Sequence, residues 1–161
     1  MKSLAEQVVA LYTQAQYTLA TAESLTAGGI SATVADIPGA SQMLLGGVVA
    51  YHARIKKALL GVTEQTIQQQ GVVSEQCAME MATGARERLQ ADVAVSVTGV
   101  AGPTGGTADT PVGTVYIGVC TQTRCYAKRF CFVGTRQEVR EQTVQQALQQ
   151  ALCVITDRME E

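Results

Sequence analysis

Tyr17-Thr18-Leu19-Ala20-Thr21-Ala22-Glu23-Ser24-Leu25-Thr26-Ala27-Gly28-Gly29 is the stretch on which the fold turns. Its first five residues, Tyr17 to Thr21, read as a strand. The next eight form a turn of small residues that opens a helix running to about Val34. A strand passing directly into a helix is the repeating unit of an α/β sheet, so the rest of the chain is read against that unit.

Upstream, residues 3–15 place Leu4, Val8, Leu11 and Ala15 at helical spacing. Downstream, Ile37-Pro38-Gly39-Ala40 is a turn, and the apolar run Met43 to Tyr51 reads as a buried strand. Two short helices follow over about 53–60 and 64–70, stopped by Gly61 and Gly71, with Thr63 as N-cap of the second. Ser74 is the predicted N-cap of a longer helix over about 75–90, whose stripe is Ala78, Met81, Ala82, Ala85 and Leu89. Asp92 to Thr98 is a β-branched strand, and 99–113 a glycine-rich loop. Thr114–Thr121 and Cys125–Val133 form a predicted hairpin. Thr135-Arg136-Gln137-Glu138 matches a capping box opening the last helix, with Val139, Thr143, Ala147, Ala151 and Ile155 on one face. Helices alternate with buried strands, which predicts an α/β fold, a single three-layer α/β/α domain over residues 1–161.

Composition narrows the function classes. The chain has 161 residues, 47% of them hydrophobic and 16% charged, with a net charge of −2. That is a globular composition. It argues against a generally basic nucleic-acid binder, and scarce aromatics argue against base-stacking platforms. The sequence contains no uninterrupted membrane-length apolar run, and residues 1–7 form no apolar signal core, so the expected setting is cytoplasmic, with neither nucleic acid nor membrane as partner. Five cysteines without a CxxC pair, and a single histidine, His52, give poor support to a metal site. The cysteines read as reduced, mostly buried thiols; Cys120 and Cys125 flank the hairpin turn and leave a redox reading open.

Four groups of residues are candidates for chemistry. Ser24 sits where strand gives way to helix, so a nucleophile there would meet helix N-terminal amides able to stabilise an oxyanion. The alternative is that Ser24 or Thr26 caps the helix. Tyr51 and Lys56 lie about one helical turn apart beyond a strand end and would face one cleft, the lysine serving as base if burial lowers its pKa. The alternative is a strand-end tyrosine and a solvated lysine beside Lys57. His52 has no identifiable partner, which leaves a Ser-His-Asp triad poorly supported. The loop Thr98-Gly99-Val100-Ala101-Gly102-Pro103-Thr104-Gly105-Gly106-Thr107 exposes backbone amides to an anion, or is simply flexible. Arg136 and Arg140 share one helix face without a nearby acid; an anionic ligand would relieve them, or solvent does. The Tyr51-to-Lys56 spacing differs from the dehydrogenase Tyr-x-x-x-Lys, and no dinucleotide fingerprint is present.

Taken together, these motifs resemble one family. Thr21-Ala22-Glu23-Ser24-Leu25-Thr26-Ala27-Gly28-Gly29, Gly47-Val48-Val49-Ala50-Tyr51 with Lys56, and Gly71-Val72-Val73-Ser74-Glu75 are three of its blocks. Val97-Thr98-Gly99-Val100-Ala101-Gly102-Pro103 with Pro111 to Tyr116, and Phe132 to Arg136 with Arg140, are the others. The chain resembles the CinA C-terminal domain family, the PncC-type nicotinamide-nucleotide amidases, over about residues 5–155. The resemblance implies hydrolysis of nicotinamide mononucleotide to nicotinic acid mononucleotide and ammonia, in pyridine nucleotide salvage, without cofactor or metal. It implies Ser24 as nucleophile, Lys56 as base and Tyr51 as relay or orienting group. Ala27, Gly28, Thr98, Gly99, Ala101, Gly102, Arg136 and Arg140 would hold the substrate, and the protein would self-associate as a homo-oligomer. Some members of the family carry Cys-Thr-Gly where this chain has Leu25-Thr26-Ala27, and some keep the fold without the activity. The alternative is therefore a catalytically silent nucleotide-binding domain of the same fold.

Overall fold

Among the described residues, five strands form one mixed sheet in the order β2-β1-β3-β4-β5. The strands are β1 (Leu19–Glu23), β2 (Leu44–Val49), β3 (Val93–Gly99), β4 (Thr114–Cys120) and β5 (Cys125–Cys131). β1 runs parallel to both β2 and β3, and the β4–β5 hairpin continues the sheet antiparallel. The helices are α1 (Leu4–Ala15), α2 (Gly29–Ala35), α3 (Ala53–Leu60), α4 (Glu64–Gln69), α5 (Glu75–Leu89) and α6 (Arg136–Met159). The computed structural model describes residues 1–159; residues 160 and 161, the end of the expected 1–161 unit, lie outside them.

The two faces of the sheet are built from side chains of different size. Leu19 of β1, Val93, Val95 and Val97 of β3, and Val115, Ile117 and Val119 of β4 point to one face. They pack there on α1, α2 and α6, with Val8, Ile30, Leu148 and Ile155 buried among them. On β1 and β3 residues of the opposite parity point the other way and include small ones: Ala20, Ala22 and Ala94 pack with Met81 and Ala85 of α5 and Leu60 of α3. That permits close approach. Ser96 Oγ donates to the Ala78 carbonyl of α5 at 2.5 Å, and a Cβ at Gly118 would lie 2.5 Å from the same oxygen. The result is three layers, as the alternation of elements predicts.

Most predicted elements stand where the sequence puts them. Thr63, Ser74 and Thr135 cap α4, α5 and α6, and the last is a reciprocal box with Glu138. Two expectations are corrected. The run Met43–Tyr51 is not a buried strand: β2 lies at the sheet edge, paired only with β1, and its residues alternate between half-buried and exposed. Its continuous apolarity mimics an interior strand. The strand before Ser24 begins and ends two residues later than read, because β1 includes Ala22 and Glu23. Glutamate is a poor strand former, but here its side chain is engaged from the adjacent helix.

Candidate active site

Parity along β1 sets the geometry of the site. Glu23 points to the α2 face, so the next residue, Ser24, turns towards α3 and α5. Backbone pairing fixes this point from both sides: the Ser24 amide donates to the Val97 carbonyl of β3, and the Glu23 carbonyl accepts from the Ala50 amide beyond β2. The site therefore lies at the carboxyl ends of the parallel strands, the ligand-binding edge of open α/β sheets.

Lys56 comes to Ser24 from α3. Its Nζ lies 2.8 Å from Ser24 Oγ and 3.1 Å from the Tyr51 carbonyl oxygen. The lysine is only 2% exposed and the serine 7%. Burial pushes the Lys56 pKa below the usual lysine range, because the charged form has left water; the neighbouring Cys77 opposes this more weakly. Burial pushes the Cys77 thiol up to about 11, with Lys56 working against it. A protonated amine donates to Ser24 Oγ, whereas a neutral one accepts the serine proton across the same short contact. That is the geometry of a nucleophile with its base.

Glu23 is a site residue that the sequence reading missed. Its carboxylate, 1% exposed, accepts four hydrogen bonds. One oxygen takes Thr26 Oγ1 at 2.6 Å and the Ile30 amide at 2.8 Å; the other takes the Ser31 amide at 3.1 Å and Thr21 Oγ1 at 3.2 Å. Neither Ser24 nor Thr26 caps α2: the N-cap is Gly28, and the carboxylate of Glu23 satisfies the first helical amides instead. The signal available in the sequence was an acid on an otherwise uncharged strand next to Ser24, with Thr26 three residues on.

The remaining candidates gather at the same edge, but in different roles. The Tyr51 hydroxyl lies away from Lys56 and accepts from Arg136 Nη2 at 2.8 Å, while its ring is exposed. Of this residue, only the backbone carbonyl meets Lys56. The two arginines need no anion for relief. Arg136 Nη1 donates to the Gly102 carbonyl at 2.7 Å, and Arg140 Nε and Nη2 donate to the carbonyls of Leu25 and Thr26 at 2.8 and 3.3 Å. Arg140 thus clamps the turn that carries Ser24, and Arg136 joins the glycine-rich loop to Tyr51. Thr98 is buried and donates to the Val72 carbonyl at 2.7 Å. His52 Nδ1 accepts from the Arg54 amide, making it the N-cap of α3.

Gly99, Ala101 and Gly102 lie at the base of the loop 100–113, where Val100 pairs with Thr114 and Gly113. The Ala27 amide is engaged by the Ser24 carbonyl, whereas the amides of Leu25, Thr26 and Gly28 meet no protein acceptor among the described residues. A cleft of about 740 Å³ lies between α2 and α6 and is lined by Thr26, Gly29, Arg136, Arg140 and Val144, among others. Ser24 and Lys56 are not among the residues that line it, although Thr26, two residues from Ser24, is. Among the described residues no group of three or more metal-ligating side chains is assembled, and no helix is long and apolar enough to cross a membrane.

The CinA family model, described as the CinA C-terminal domain, matches residues 1–155. A CinA-like protein from Thermotoga neapolitana is 43% identical over 148 residues, which are 92% of this chain and 36% of that protein. One from Desulfotalea psychrophila is 47% identical over 131 residues, 81% of this chain and 32% of that one. The chain spans about a third of the length of these curated relatives. Among solved structures, the competence/damage inducible protein CihA from Agrobacterium tumefaciens matches with a TM-score of 0.91 at 35% identity, over 95% of this chain and 93% of that one. A CinA superfamily protein from Klebsiella pneumoniae matches with a TM-score of 0.92 at 30% identity, over 96% of each chain.

Proposed function

Because this chain belongs to the CinA C-terminal domain family, we propose that it is an amidohydrolase that converts nicotinamide mononucleotide to nicotinic acid mononucleotide and ammonia. The observation that carries the reading is the 2.8 Å contact between a buried lysine amine and Ser24 Oγ at the carboxyl edge of the sheet. Neutral Lys56 takes the Ser24 proton as Oγ attacks the carboxamide carbon. The unpaired amides of the 25–28 turn, Gly28 among them, receive the oxyanion. Lys56 then protonates the departing ammonia, and water hydrolyses the acyl-serine ester. Tyr51 serves by orienting Lys56 through its carbonyl and Arg136 through its hydroxyl.

The substrate phosphate belongs, on this reading, to the Arg136/Arg140 end of the α2/α6 cleft. Thr98, Gly99, Ala101 and Gly102 do not line that cleft; on this reading the loop base they form holds the part of the substrate nearer Ser24, whose amide pairs with Val97. Self-association is part of the proposal, supported by the half-exposed Leu45 and Val49 on the edge strand and checked by light scattering.

The test is ammonia release from nicotinamide mononucleotide by wild type, Ser24→Ala and Lys56→Ala in chelator-treated buffer. Turnover by wild type that both substitutions abolish supports the assignment. Full activity of Ser24→Ala would refute it. A second reading, a silent nucleotide-binding domain, is favoured by one observation: Ala27 brings a methyl group, at φ 49°, into a turn position that suits glycine. Nucleotide binding without ammonia release by wild type would select that reading.

A further inference from the structure

At the other end of the sheet, the β4–β5 hairpin brings two thiols together. Cys120 and Cys125 stand directly opposite each other in its register. Their place in the antiparallel ladder follows from the backbone. The Thr121 amide donates to the Arg124 carbonyl at 2.7 Å, and the Phe132 amide to the Gly113 carbonyl at 2.8 Å. The pairs 113/132 and 121/124 are therefore of the hydrogen-bonded kind. By alternation the pair 120/125 is of the non-hydrogen-bonded kind, where Cα atoms approach to about 4.5 Å. Disulfides span Cα separations of about 4.4–6.8 Å, so this pairing lies within their reach, at its short end.

The side chains agree with the backbone. Both sulfurs lie against one hydroxyl, Thr83 Oγ1 of α5, at 3.6 Å from Cys120 Sγ and 3.4 Å from Cys125 Sγ. Both thiols are free. Cys120 is buried, and burial first, then the adjacent Cys125, push its thiol pKa up. Cys125 is half-buried and is the more accessible of the two. The pair is also far along the strands from Ser24: Cys120 is opposite Ala94, which pairs with Ala20, whereas Ser24 follows the Glu23–Val97 pair.

We propose that Cys120 and Cys125 are a reversible disulfide-forming site that exchanges with small-molecule disulfides while the chain stays folded. Deprotonated Cys125 attacks one sulfur of the small disulfide, whose S–S bond breaks and releases one thiolate, which takes up a proton. Cys120, losing its proton in turn, attacks Cys125 Sγ and expels the second thiol. The two protein sulfurs are oxidised to one cross-strand disulfide, and the small disulfide is reduced to two thiols. A bond at the short end of the allowed span is one that thiol reductants reopen.

The experiment is incubation of the folded, fully reduced chain with excess oxidised glutathione near neutral pH. Alkylation of the remaining thiols and peptide mass mapping follow, with circular dichroism to confirm the fold. The expected result is a Cys120–Cys125 cross-link two hydrogens lighter than the dithiol, formed at the expense of two of the five titratable thiols and reversed by dithiothreitol. In Cys120→Ala the glutathione should remain on Cys125, because the resolving thiol is gone. Stable glutathionylation of Cys125 in the wild type would overturn the proposal. So would full alkylation of both residues after oxidation, or a cross-link to Cys77, Cys131 or Cys153.

Discussion

Two segments leave the carboxyl ends of neighbouring parallel strands, and they are built in opposite ways. The turn after β1 is short and buried: Ser24, Leu25 and Thr26 are all under 10% exposed. Glu23 holds it from one side, and Arg140 clamps two of its carbonyls from the other. The loop after β3 is longer, and residues 103–109 are all exposed. It is tied near its base through Arg136 at Gly102, and further out through Arg129 at Asp109 and by a Thr107–Thr110 contact. The loop has the more ligand-like composition, yet it is the turn that carries Ser24, whose Oγ meets the buried Lys56 amine of α3. A nucleophile must be held to within a fraction of an ångström, which satisfied buried polar groups achieve and an exposed loop does not.

Lys56→Met would break the comparison most severely. Removing the amine bonded to Ser24 should lower kcat by roughly 10³-fold or more, read as ammonia release. The same variant tests the pH behaviour. In the wild type, kcat/KM should rise with pH through an apparent pKa below the ordinary lysine range, as Lys56 becomes neutral. Stability follows the same sign. The folded pKa of Lys56 lies below its unfolded value, so between the two the unfolded chain binds more protons. The burial penalty is absent above the unfolded pKa, grows as pH falls, and is complete below the folded pKa. Urea midpoints measured across that window should rise with pH in the wild type and more weakly in Lys56→Met.

Glu23→Gln sharpens the contrast next. Each carboxylate oxygen accepts one backbone amide, so an NH₂ group must face an N–H that cannot turn away. The expected stability loss is about 1–3 kcal/mol, with kcat down by roughly 10²-fold as Ser24 drifts. A KM close to that of the wild type would mark a positioning role. Unchanged kcat would sink the idea that this carboxylate sets the turn.

On the loop side, Arg136→Ala removes the tie to Gly102 and to Tyr51 together. Amide exchange over 100–113 should accelerate by roughly tenfold, as expected for loss of about 1.5 kcal/mol of charged hydrogen bonding. Exchange in the 24–28 turn should change little. The smallest effect belongs to Ala27→Gly. Relieving a left-handed alanine, less the added freedom of the unfolded chain, should stabilise by about 0.5–1 kcal/mol, or roughly 1–4 °C in Tm by calorimetry.

Much of this was legible in the linear sequence because it depends on near neighbours. The caps at Ser74 and Thr135, the glycine stop of α3 and the 3.6-residue stripe of α6 are local, and the structure keeps them. The candidacy of Ser24 and Lys56 was legible too, from the strand-to-helix turn and the family motifs. Two kinds of feature were not. Edge or centre in a sheet depends on which strands pair, so an apolar run such as Leu44–Val49 reads as interior until its one-sided pairing is known. Hydrogen-bond partners distant in sequence are equally hidden. That Arg140 would meet Leu25 and Thr26, or that the Tyr51 hydroxyl would find Arg136, is a matter of where α6 docks.

By itself, then, the sequence determined the alternation of elements, the helix ends and the residues competent for nucleophile and base chemistry, because these follow from neighbours within a turn or two of chain. Only the tertiary structure decided that Lys56 is buried against Ser24, that Glu23 anchors the turn, that the arginines clamp backbone carbonyls, and that Cys120 faces Cys125. Burial and long-range pairing are properties of packed layers, and no local propensity encodes which layer a polar group will meet.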